Sequence, residues 1–454
     1  MNADVVEQSL YEVREAIHPR AVRGWFAAWR WLLVWATQLA YYGVAWLPWN
    51  GRQAVLFDVA QRKFYIFGLV FWPQDIIYLT VLLIISALSL FLFTAVAGRL
   101  WCGYACPQTV YTEIFLWIER RIEGDRNARM KLDREAWNFH KLLLKTGKHA
   151  VWIMLSLWTG FTFVGYVTPI HELWAEVFTF TTSSWETFWI LFYGFATYGN
   201  AGWMREQVCI YMCPYARFQS AMFDKDTMVI SYDTARGEPR GKATVKGVGA
   251  GLGDCVDCDI CVQVCPTGID IRKGLQYQCI GCASCIDGCD QVMEKFGRPR
   301  GLIRYSTTHA MEGKSSRVLR PRVLIYFFLL TGIVAAAAAA LYLRVPLKVD
   351  VIRDRAALAR EVEGGQIENV YRLQIMNTTE RPRVFEIAVA GPPTLQLATA
   401  PRVQLGATES RMLPVRVRVD PGSVPAGAHK IRFSIRAIDE ESVAVEEKSV
   451  FIVR

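Results

Sequence analysis

Five long runs of the chain carry no charged side chain, and these runs limit its fold more than any other feature. A helix needs about 20 apolar residues to cross the roughly 30 Å hydrocarbon core of a bilayer. The runs lie at residues 31–49, 76–98, 150–170, 187–204 and 323–343. Hydrophobic residues make up 52% of the chain and charged residues only 20%, which excludes a disordered protein. We therefore predict a membrane α-helical bundle with about five transmembrane helices.

Lysine and arginine are distributed unevenly between these runs. Residues 99–148 contain ten and residues 205–322 contain seventeen, whereas residues 50–75 contain three and residues 171–186 contain none. Because cytoplasmic loops carry the positive excess, we predict that the N-terminus and the two basic loops are cytoplasmic and that the C-terminal tail is periplasmic. The net charge of +9 is then mainly a topology signal, and no nucleic-acid partner is expected.

All twelve cysteines lie in the two basic loops, in C-x(2)-C or C-x(3)-C groups. This pattern indicates metal-ligating or redox thiols in a reducing compartment. Eight of them form two runs with bacterial ferredoxin spacing, in which the fourth cysteine of each run ligates the other cluster. We predict two 4Fe–4S clusters, one held by Cys255, Cys258, Cys261 and Cys289, the other by Cys279, Cys282, Cys285 and Cys265. The alternative of two zinc sites fits poorly, since a zinc ribbon has paired C-x(2)-C knuckles.

The remaining four cysteines form two C-x(3)-C-P motifs, each a few residues after an uncharged run and an arginine. They are Cys102, Cys106, Cys209 and Cys213. A gap of three residues places both sulfurs of a motif on one face of a helical turn. Four such thiolates together would suit Cu(I), zinc or an iron–sulfur cluster. A thiol pair could also cycle through a disulfide, or the cysteines could be small buried residues at a helix contact. Whether they form one site or two stays open.

The C-terminal tail has a different pattern, with apolar and polar residues alternating between Pro and Gly turns. The alternating stretches lie at residues 366–376, 385–390, 415–419, 431–436 and 443–453. Alternation of this kind is typical of an antiparallel β-sandwich. We predict a C-terminal immunoglobulin-like β-sandwich that folds around its own core.

These features predict five segments. They are a cytoplasmic N-terminal segment (1–30), a membrane domain with four transmembrane helices and both C-x(3)-C-P motifs (31–244), a dicluster ferredoxin domain (245–310), the fifth transmembrane helix with its flanks (311–345) and the β-sandwich (346–454). The predicted fold is thus a membrane bundle with an inserted bacterial-type two-cluster ferredoxin domain and a C-terminal sandwich. A glycine-rich stretch at 247–253 is predicted to be a flexible tether.

The combination resembles the CcoG family, also called FixG or RdxA, which are accessory proteins of cbb3-type cytochrome c oxidase. Three blocks carry the resemblance, at residues 101–107, 208–219 and 265–277, and it covers nearly the whole chain from about Arg30. The resemblance implies a bacterial inner-membrane cupric reductase that supplies Cu(I) for the haem–copper centre. In that interpretation Cys102, Cys106, Cys209 and Cys213 handle copper, and the two clusters deliver single electrons.

The implied partners are the lipid bilayer, copper ions and a copper-transporting ATPase, copper chaperones or oxidase assembly factors, with an electron donor that the sequence does not identify. Two other functions remain open at this point. One is a quinol-linked electron-transfer subunit similar to the NapH-type ferredoxins, which also combine C-x(3)-C-P motifs with two clusters. The other is a copper chaperone in which the clusters are structural.

Overall fold

The computed structural model describes residues 17–241, 251–354 and 359–453. Most of the predicted tether at 247–253 and the first part of the predicted N-terminal segment therefore lie outside the described residues. The chain divides into two compact units. The first contains the chain up to Trp46 together with Leu82–Gly332, and the second contains Leu47–Val81 together with Ile333–Arg454.

The helices of the described residues are numbered here in chain order. They are α1 (Trp25–Val44), α2 (Ile76–Ala97), α3 (Leu100–Tyr104), α4 (Pro107–Glu123), α5 (Arg126–Arg134), α6 (Phe139–Val164), α7 (Ile170–Thr179), α8 (Ser184–Thr197), α9 (Pro214–Met222), α10 (Thr234–Gly237), α11 (Ile260–Gln263), α12 (Ser284–Lys295), α13 (Thr308–Met311) and α14 (Pro321–Tyr342). Two π-helical segments, Tyr198–Met204 and Val208–Met212, follow α8. Short 3-10 turns occur at Pro73–Asp75, Ile271–Lys273 and Glu363–Gly365.

The strands are numbered in the same way. They are β1 (Pro48–Trp49), β2 (Arg52–Gln53), β3 (Val55–Asp58), β4 (Lys63–Ile66), β5 (Leu69–Phe71), β6 (Val229–Tyr232), β7 (Ile303–Ser306), β8 (Leu347–Arg353), β9 (Arg360–Glu361), β10 (Ile367–Asn377), β11 (Arg383–Ala390), β12 (Gln396–Leu397), β13 (Arg402–Leu405), β14 (Ser410–Val419), β15 (Gly427–Ala437) and β16 (Ala444–Val453).

Helices occupy all five uncharged runs. Within the described ranges, two helical stretches are long and apolar enough to cross a membrane, Pro73–Ala97 and Pro321–Tyr342. Helices α1, α6 and α8 are richer in Trp, Tyr and polar side chains, which lowers their mean hydropathy. The stretches Pro73–Ala97 and Pro321–Tyr342 are compatible with membrane insertion. The count of five spans stays a prediction.

The third uncharged run, 150–170, differs from its predicted single helix. Helix α6 begins much earlier, where the side chain of Asn138 accepts a hydrogen bond from the Lys141 backbone N–H at 2.7 Å. It ends before Gly165, and the last residue of the run, Ile170, begins α7 after Pro169. A proline has no N–H to donate, so the helix cannot continue through this position. The first run is also shifted, since α1 ends at Val44.

The C-terminal part of the second unit is the predicted antiparallel β-sandwich, which confirms that prediction. One sheet has the strand order β12-β14-β10-β8 with β9 added to β10, and the other has the order β13-β11-β15-β16. The inward side chains of β15 (Ile431, Phe433, Ile435) are buried and alternate with more exposed ones. This alternation places one face of each sheet in a common core.

The loop between α1 and α2 folds with the second unit, which the sequence interpretation had placed in the membrane domain at 31–244. It forms a small antiparallel sheet of β3, β4 and β5. Asn50 and Arg52 contact the carboxylate of Glu380, and Asp75 is paired with Arg344 at 2.8 Å. The three strands are only three or four residues long, so their pattern was too brief to recognise in the sequence.

The eight-cysteine segment folds around α11 and α12 within the first unit. Strand β6, which precedes it, pairs antiparallel with β7, which follows it. Buried side chains of both strands and of α12, including Ile230, Ile303 and Met293, form the core of this part. The ferredoxin-like part therefore begins before the predicted boundary at residue 245, because its closing ladder uses β6.

Candidate metal centre

The eight cassette cysteines line two cavities. The first is lined by Cys255, Cys258, Cys261 and Cys289. The second is lined by Cys265, Cys279, Cys282 and Cys285, with Cys261 also at its wall. Each cavity thus has the four thiols that the crossed ferredoxin pattern assigns to one cluster. The donor sets fit two 4Fe–4S clusters, and the ligand assignment itself stays a prediction.

The backbone between these cysteines is bent around the cavities. Three residues without glycine's freedom take left-handed conformations, Asp257 (φ 49°), Asp259 (φ 55°) and Ala283 (φ 60°). Asp259 and Ala283 stand immediately before α11 and α12. Left-handed non-glycine residues are costly and persist where the surrounding fold imposes them, often at ligand sites. The loops are therefore held in a curved form that points several cysteines at one space.

No group of three or more His, Cys, Asp or Glu side chains in the described parts of the chain is arranged to hold a metal ion. A zinc ion needs its ligand atoms about 2.0–2.3 Å from a single point, whereas a cluster distributes its thiolates over the corners of a cube. Among the described residues, the cassette thiols are not gathered around a single point in this way. The four C-x(3)-C-P cysteines are likewise not preassembled around one point.

Several cassette thiols are buried in apolar surroundings, and this burial changes their pKa values. It raises the pKa of Cys261, Cys279 and Cys289 to about 12, and it raises the pKa of Cys285 further above the usual value. Metal-free thiols with such pKa values are protonated at neutral pH. Iron binding would therefore release protons from the site.

The four C-x(3)-C-P cysteines come from separate segments. Cys102 lies in α3, Cys106 directly precedes α4, Cys209 lies in the π-helical segment Val208–Met212, and Cys213 directly precedes α9. Burial, together with the charges of the other thiols of the set, raises the pKa of Cys102 to about 11 and that of Cys209 to about 12. The structure thus brings all four thiols into one neighbourhood.

Hydrogen bonds between the two motifs hold this neighbourhood together. The Gln108 side chain, two residues after Cys106, donates to the carbonyl oxygens of Asn200 at 2.9 Å and Arg205 at 3.0 Å. The Cys102 thiol donates to the side-chain oxygen of Gln219 in α9 at 3.5 Å. These contacts join the first motif to the segments on both sides of the second.

A buried ion cluster supports the same arrangement. The carboxylate of Glu119 in α4 is 2.8 Å from Arg129, 3.2 Å from Arg205 and 3.4 Å from Lys148. Burial alone would raise the pKa of Glu119, but Arg205, Arg129 and Lys148 together hold it at about 2. Because Arg205 stands just before the second motif, the cluster ties that motif to the helix that follows the first.

The first motif lies in backbone contact with the ferredoxin cassette. A Cβ atom on Gly103 would be 2.7 Å from the carbonyl oxygen of Gly281 and 2.8 Å from the backbone nitrogen of Cys282. Only glycine permits this approach. Gly281 has a φ of +69°, so it too occupies a conformation that favours glycine. Cys102 is therefore one residue from a direct contact with a predicted cluster ligand.

Arg99 joins the cassette to both motifs. Its guanidinium donates to the carbonyl oxygens of Tyr277 and Cys279 in the cassette and to that of Ala216 in α9. Its side chain is buried, and its charge lowers the pKa of Cys102 and Cys209 against the larger effect of burial. The sequence offered one signal for this residue, since an arginine precedes each C-x(3)-C-P motif.

Helix α1 is anchored to the cassette at its first turn. The carboxylate of Asp287 in α12 accepts hydrogen bonds from the backbone N–H groups of Phe26 at 3.2 Å and Ala27 at 2.7 Å. Arg30, one turn later, donates to the carbonyl oxygen of Cys282 at 3.1 Å and contacts Ser284. Nothing in the sequence pattern singled out Asp287 or Arg30, because their roles depend on partners more than 250 residues away.

A further cavity connects the two sets of cysteines. Its walls include Cys209 and Gly103 from the C-x(3)-C-P motifs and Cys282 and Pro266 from the cassette. Tyr104 also lines it. Cys209 of the second C-x(3)-C-P motif and Cys282 of the cassette therefore line the same space.

Comparisons with known proteins agree with this arrangement. Residues 204–308 match a family model described as a 4Fe-4S dicluster domain, residues 79–124 match a 4Fe-4S binding domain, and residues 337–454 match the IG-like fold at the C-terminus of FixG. The first of these matches includes Cys209 and Cys213 as well as the cassette, and the second includes Cys102 and Cys106. Two separate segments of the chain, residues 79–124 and 204–308, thus match iron–sulfur family models.

The chain is also similar over most of its length to curated proteins. It is 39% identical to protein RdxA of Cereibacter sphaeroides, with 96% of each chain covered. It is 37% identical to nitrogen fixation protein FixG of Rhizobium meliloti, with 92% of this chain and 89% of the relative covered. A shorter match, 25% identical, links 47% of the chain to 68% of the ferredoxin-type protein NapH of Haemophilus influenzae.

Proposed function

The chain belongs to the FixG/RdxA family, and from this premise we propose that it is a membrane-bound cupric reductase. Its 4Fe-4S domains make it an iron–sulfur electron-transfer protein. The proposal adds the acceptor, Cu(II), which takes one electron and becomes Cu(I). The Cu(I) would be used to assemble the haem–copper centre of a cbb3-type cytochrome c oxidase.

The observation that carries the proposal is the backbone contact between the two sets of cysteines. Gly103, next to Cys102, touches Gly281 and Cys282, and Arg99 spans from the cassette to α9. Tight packing of this kind shortens the path between an electron-carrying group in the second cassette cavity and a metal ion held by the C-x(3)-C-P thiols.

Each set of residues has a distinct role in this proposal. Clusters bound in the two cassette cavities would supply single electrons at low potential. Copper would be bound as substrate by Cys102, Cys106, Cys209 and Cys213, because soft thiolates prefer Cu(I) over harder ions. Arg99 would favour the thiolate form that copper binding requires, since its positive charge lowers the pKa of a nearby thiol.

The proposed setting is the bacterial inner membrane. The lysine and arginine distribution supports an N-terminus and a ferredoxin part on the cytoplasmic side, with the β-sandwich in the periplasm. The proposed partners are copper chaperones, a copper-transporting ATPase or oxidase assembly factors that receive Cu(I).

An anaerobic transfer experiment tests the proposal. Full-length protein with chemically reduced clusters is mixed with Cu(II) buffered by a chelator, and cluster oxidation is followed by visible absorption while Cu(I) is trapped with a colorimetric ligand. We expect one Cu(I) for each electron lost. A Cys102→Ser/Cys209→Ser variant should keep its cassette iron and lose the reaction. Clusters that stay reduced in the presence of Cu(II) would contradict the proposal.

The similarity to NapH favours a second candidate, a quinol-linked electron-transfer subunit. In that case a reduced quinol would reduce the clusters rapidly, and the Cys102→Ser/Cys209→Ser variant would respond to Cu(II) no differently from the unaltered protein. A copper chaperone with structural clusters would instead bind copper without any cluster oxidation. The same assay therefore separates all three functions.

A further inference from the structure

A groove rich in arginine lies where helix α1 begins, between α1, α4 and the ferredoxin cassette. We call it the arginine groove. Five arginines and one glutamate, Glu113, are the charged side chains that line it. The arginines are Arg20, Arg23, Arg30, Arg120 and Arg121. Glu113 is paired with Arg120 at 3.2 Å and its charge also acts on Arg30, so one carboxylate faces five guanidinium groups and the lining is positively charged.

The walls of the groove are fixed by contacts outside it. The backbone N–H of Arg20 donates to the carbonyl oxygen of Gln263 in α11 at 2.7 Å, and the N–H of Ala21 donates to Asp125 at 3.0 Å. The side chain of Gln291 in α12 donates to the carbonyl oxygen of Arg23. The segment that carries Arg20 and Arg23 is therefore held against the cassette, while their guanidinium groups have no ion-pair partner among the described residues.

Arg30 gives the groove a buried positive charge. Its side chain is only 6% exposed, and in the described part of the chain its Nε has no hydrogen-bond partner. One terminal nitrogen, Nη1, donates to the Cys282 carbonyl oxygen and also contacts the Ser284 hydroxyl. A buried, partly unsatisfied guanidinium favours an anionic ligand that can accept the remaining N–H.

Tryptophans form the other side of the groove. Trp31 of α1 meets Trp117 of α4 with their rings 6.3 Å apart in an edge-to-face arrangement, and Arg121 lies over the Trp117 ring at 5.3 Å. Trp25 and Trp29, in the first turns of α1, are exposed. Tryptophan and arginine at the end of an apolar helix are typical of the membrane–water interface. The groove therefore combines arginine side chains with a wall of tryptophans, as sites at the membrane–water interface do.

From this combination we propose that the arginine groove binds the headgroup of an anionic phospholipid. Basic pockets beside membrane helices bind phospholipid headgroups through their phosphate oxygens, and arginine forks suit phosphate geometry. The phosphate would lie among Arg23, Arg30 and Arg121, and the acyl chains would leave past Trp31 and Trp117. The bound lipid would stabilise the contact between α1 and the cassette segment that carries Cys282. The site does not depend on copper.

Lipid binding to the full-length protein tests this site. Protein stripped of lipid in a neutral detergent is titrated with dioleoyl phosphatidylglycerol or with dioleoyl phosphatidylcholine, and bound lipid is counted by native mass spectrometry. We expect the anionic lipid to be retained and the zwitterionic lipid to be lost under the same conditions. An Arg23→Gln/Arg121→Gln variant should bind phosphatidylglycerol roughly 30-fold more weakly.

Controls make the result specific to the groove. Lys131→Gln/Arg134→Gln removes the same charge from α5, outside the groove, and should leave binding unchanged. Arg121→Lys keeps the charge and should keep most of the affinity. If the double groove variant loses its iron, the single Arg121→Gln variant is measured in its place, with an expected loss of roughly 5-fold.

Three outcomes would overturn the proposal. The first is equal retention of phosphatidylglycerol and phosphatidylcholine. The second is the same loss of affinity in the groove variants and in the α5 control. The third is complete displacement of the lipid by inorganic phosphate at physiological ionic strength, which would make the groove a site for free phosphate. None of these outcomes depends on whether the protein reduces copper.

Discussion

The two sets of cysteines reach their sites in different ways. The eight cassette cysteines lie within 35 residues of one another, from Cys255 to Cys289, and short bent loops gather them around two cavities. The other four come from two motifs about a hundred residues apart, and they meet only because Gln108, Glu119 and Arg99 hold the motifs together. A site whose ligands are close in the sequence can be predicted from residue spacing. A site whose ligands come from distant segments depends on polar contacts that spacing does not reveal.

The largest expected effect comes from breaking the crossed pattern in the cassette. Cys289→Ser removes one thiol from the cavity of Cys255, and Cys265→Ser removes one from the cavity of Cys279. Each variant should lose about half of its iron, because a three-thiolate cluster is held less firmly. The measurement is iron per polypeptide together with the electron paramagnetic resonance spectrum of the cluster that remains.

The two cassette variants serve as each other's control. Their residual spectra should differ, since a different cluster survives in each. If both variants retain the same cluster, the crossed assignment is wrong.

The next largest effect is expected from the ion cluster around Glu119, which helps to bring the four C-x(3)-C-P cysteines together. Glu119→Gln leaves the buried Arg129 and the half-buried Arg205 without their carboxylate, whereas Lys148 keeps Glu123 at 2.9 Å. The change should lower the free energy of unfolding by about 3–5 kcal/mol. Glu135→Gln, directly after α5, is the matched control, because Glu135 pairs with the exposed Lys131 at 3.9 Å, and it should cost at most about 1 kcal/mol. Thermal unfolding in detergent measures both.

The pKa of the Glu119 carboxylate also predicts how the stability of the protein changes with pH. Its folded pKa of about 2 lies below the ordinary value of 4.5, so its contribution to stability is present above pH 4.5 and is lost as the pH falls towards 2. The Glu119→Gln variant should lack this acid-dependent part of the unfolding curve. A variant that loses stability in acid as steeply as the unaltered protein would speak against the role of Glu119.

Arg99 offers a way to uncouple the two sets without removing a thiol. Arg99→Gln should slow copper-driven cluster oxidation by about 10- to 100-fold, because a charged hydrogen-bonding group contributes about 1.5–3 kcal/mol. Its iron content should be unchanged. Arg236→Gln is the control, since Arg236 also donates to backbone carbonyls and to Asp254 but does not reach the C-x(3)-C-P motifs.

Arg99→Lys sharpens that test. Lysine keeps the charge but cannot reproduce a planar fork with several donors, so we expect partial recovery of the rate. Full recovery would mean that charge alone matters, and an unchanged rate in Arg99→Gln would remove Arg99 from the coupling.

The smallest effect is expected at the backbone contact. Gly103→Ala places a Cβ 2.7 Å from the Gly281 oxygen, and the strain should cost about 1–3 kcal/mol of stability. Gly147→Ala in α6 is the control, because no atom lies within 4 Å of its added Cβ, and it should be neutral or slightly stabilising. Thermal unfolding compares the two, and equal effects would contradict the tight contact.

Several parts of the fold followed from the sequence, for reasons that particular residues make plain. The sandwich strands were recognised because alternation, as in Ile431, Phe433 and Ile435, has the period of a strand. The helix ends were less well predicted, since Asn138 and Pro169 set them and an uncharged run does not mark capping. The sheet of β3, β4 and β5 was missed because each strand is too short for a pattern to appear.

The sequence by itself determined which cysteines can share a cavity in the cassette, since three thiols separated by two residues each cannot lie far apart. Only the tertiary structure decided that Cys102 and Cys209 share a neighbourhood and that Gly103 meets Cys282. The physical reason is that these contacts depend on Arg99 and Glu119, which are buried with partners from distant segments. The hydrogen bonds and ion pairs of these two side chains become strong only when the folded chain excludes water from around them.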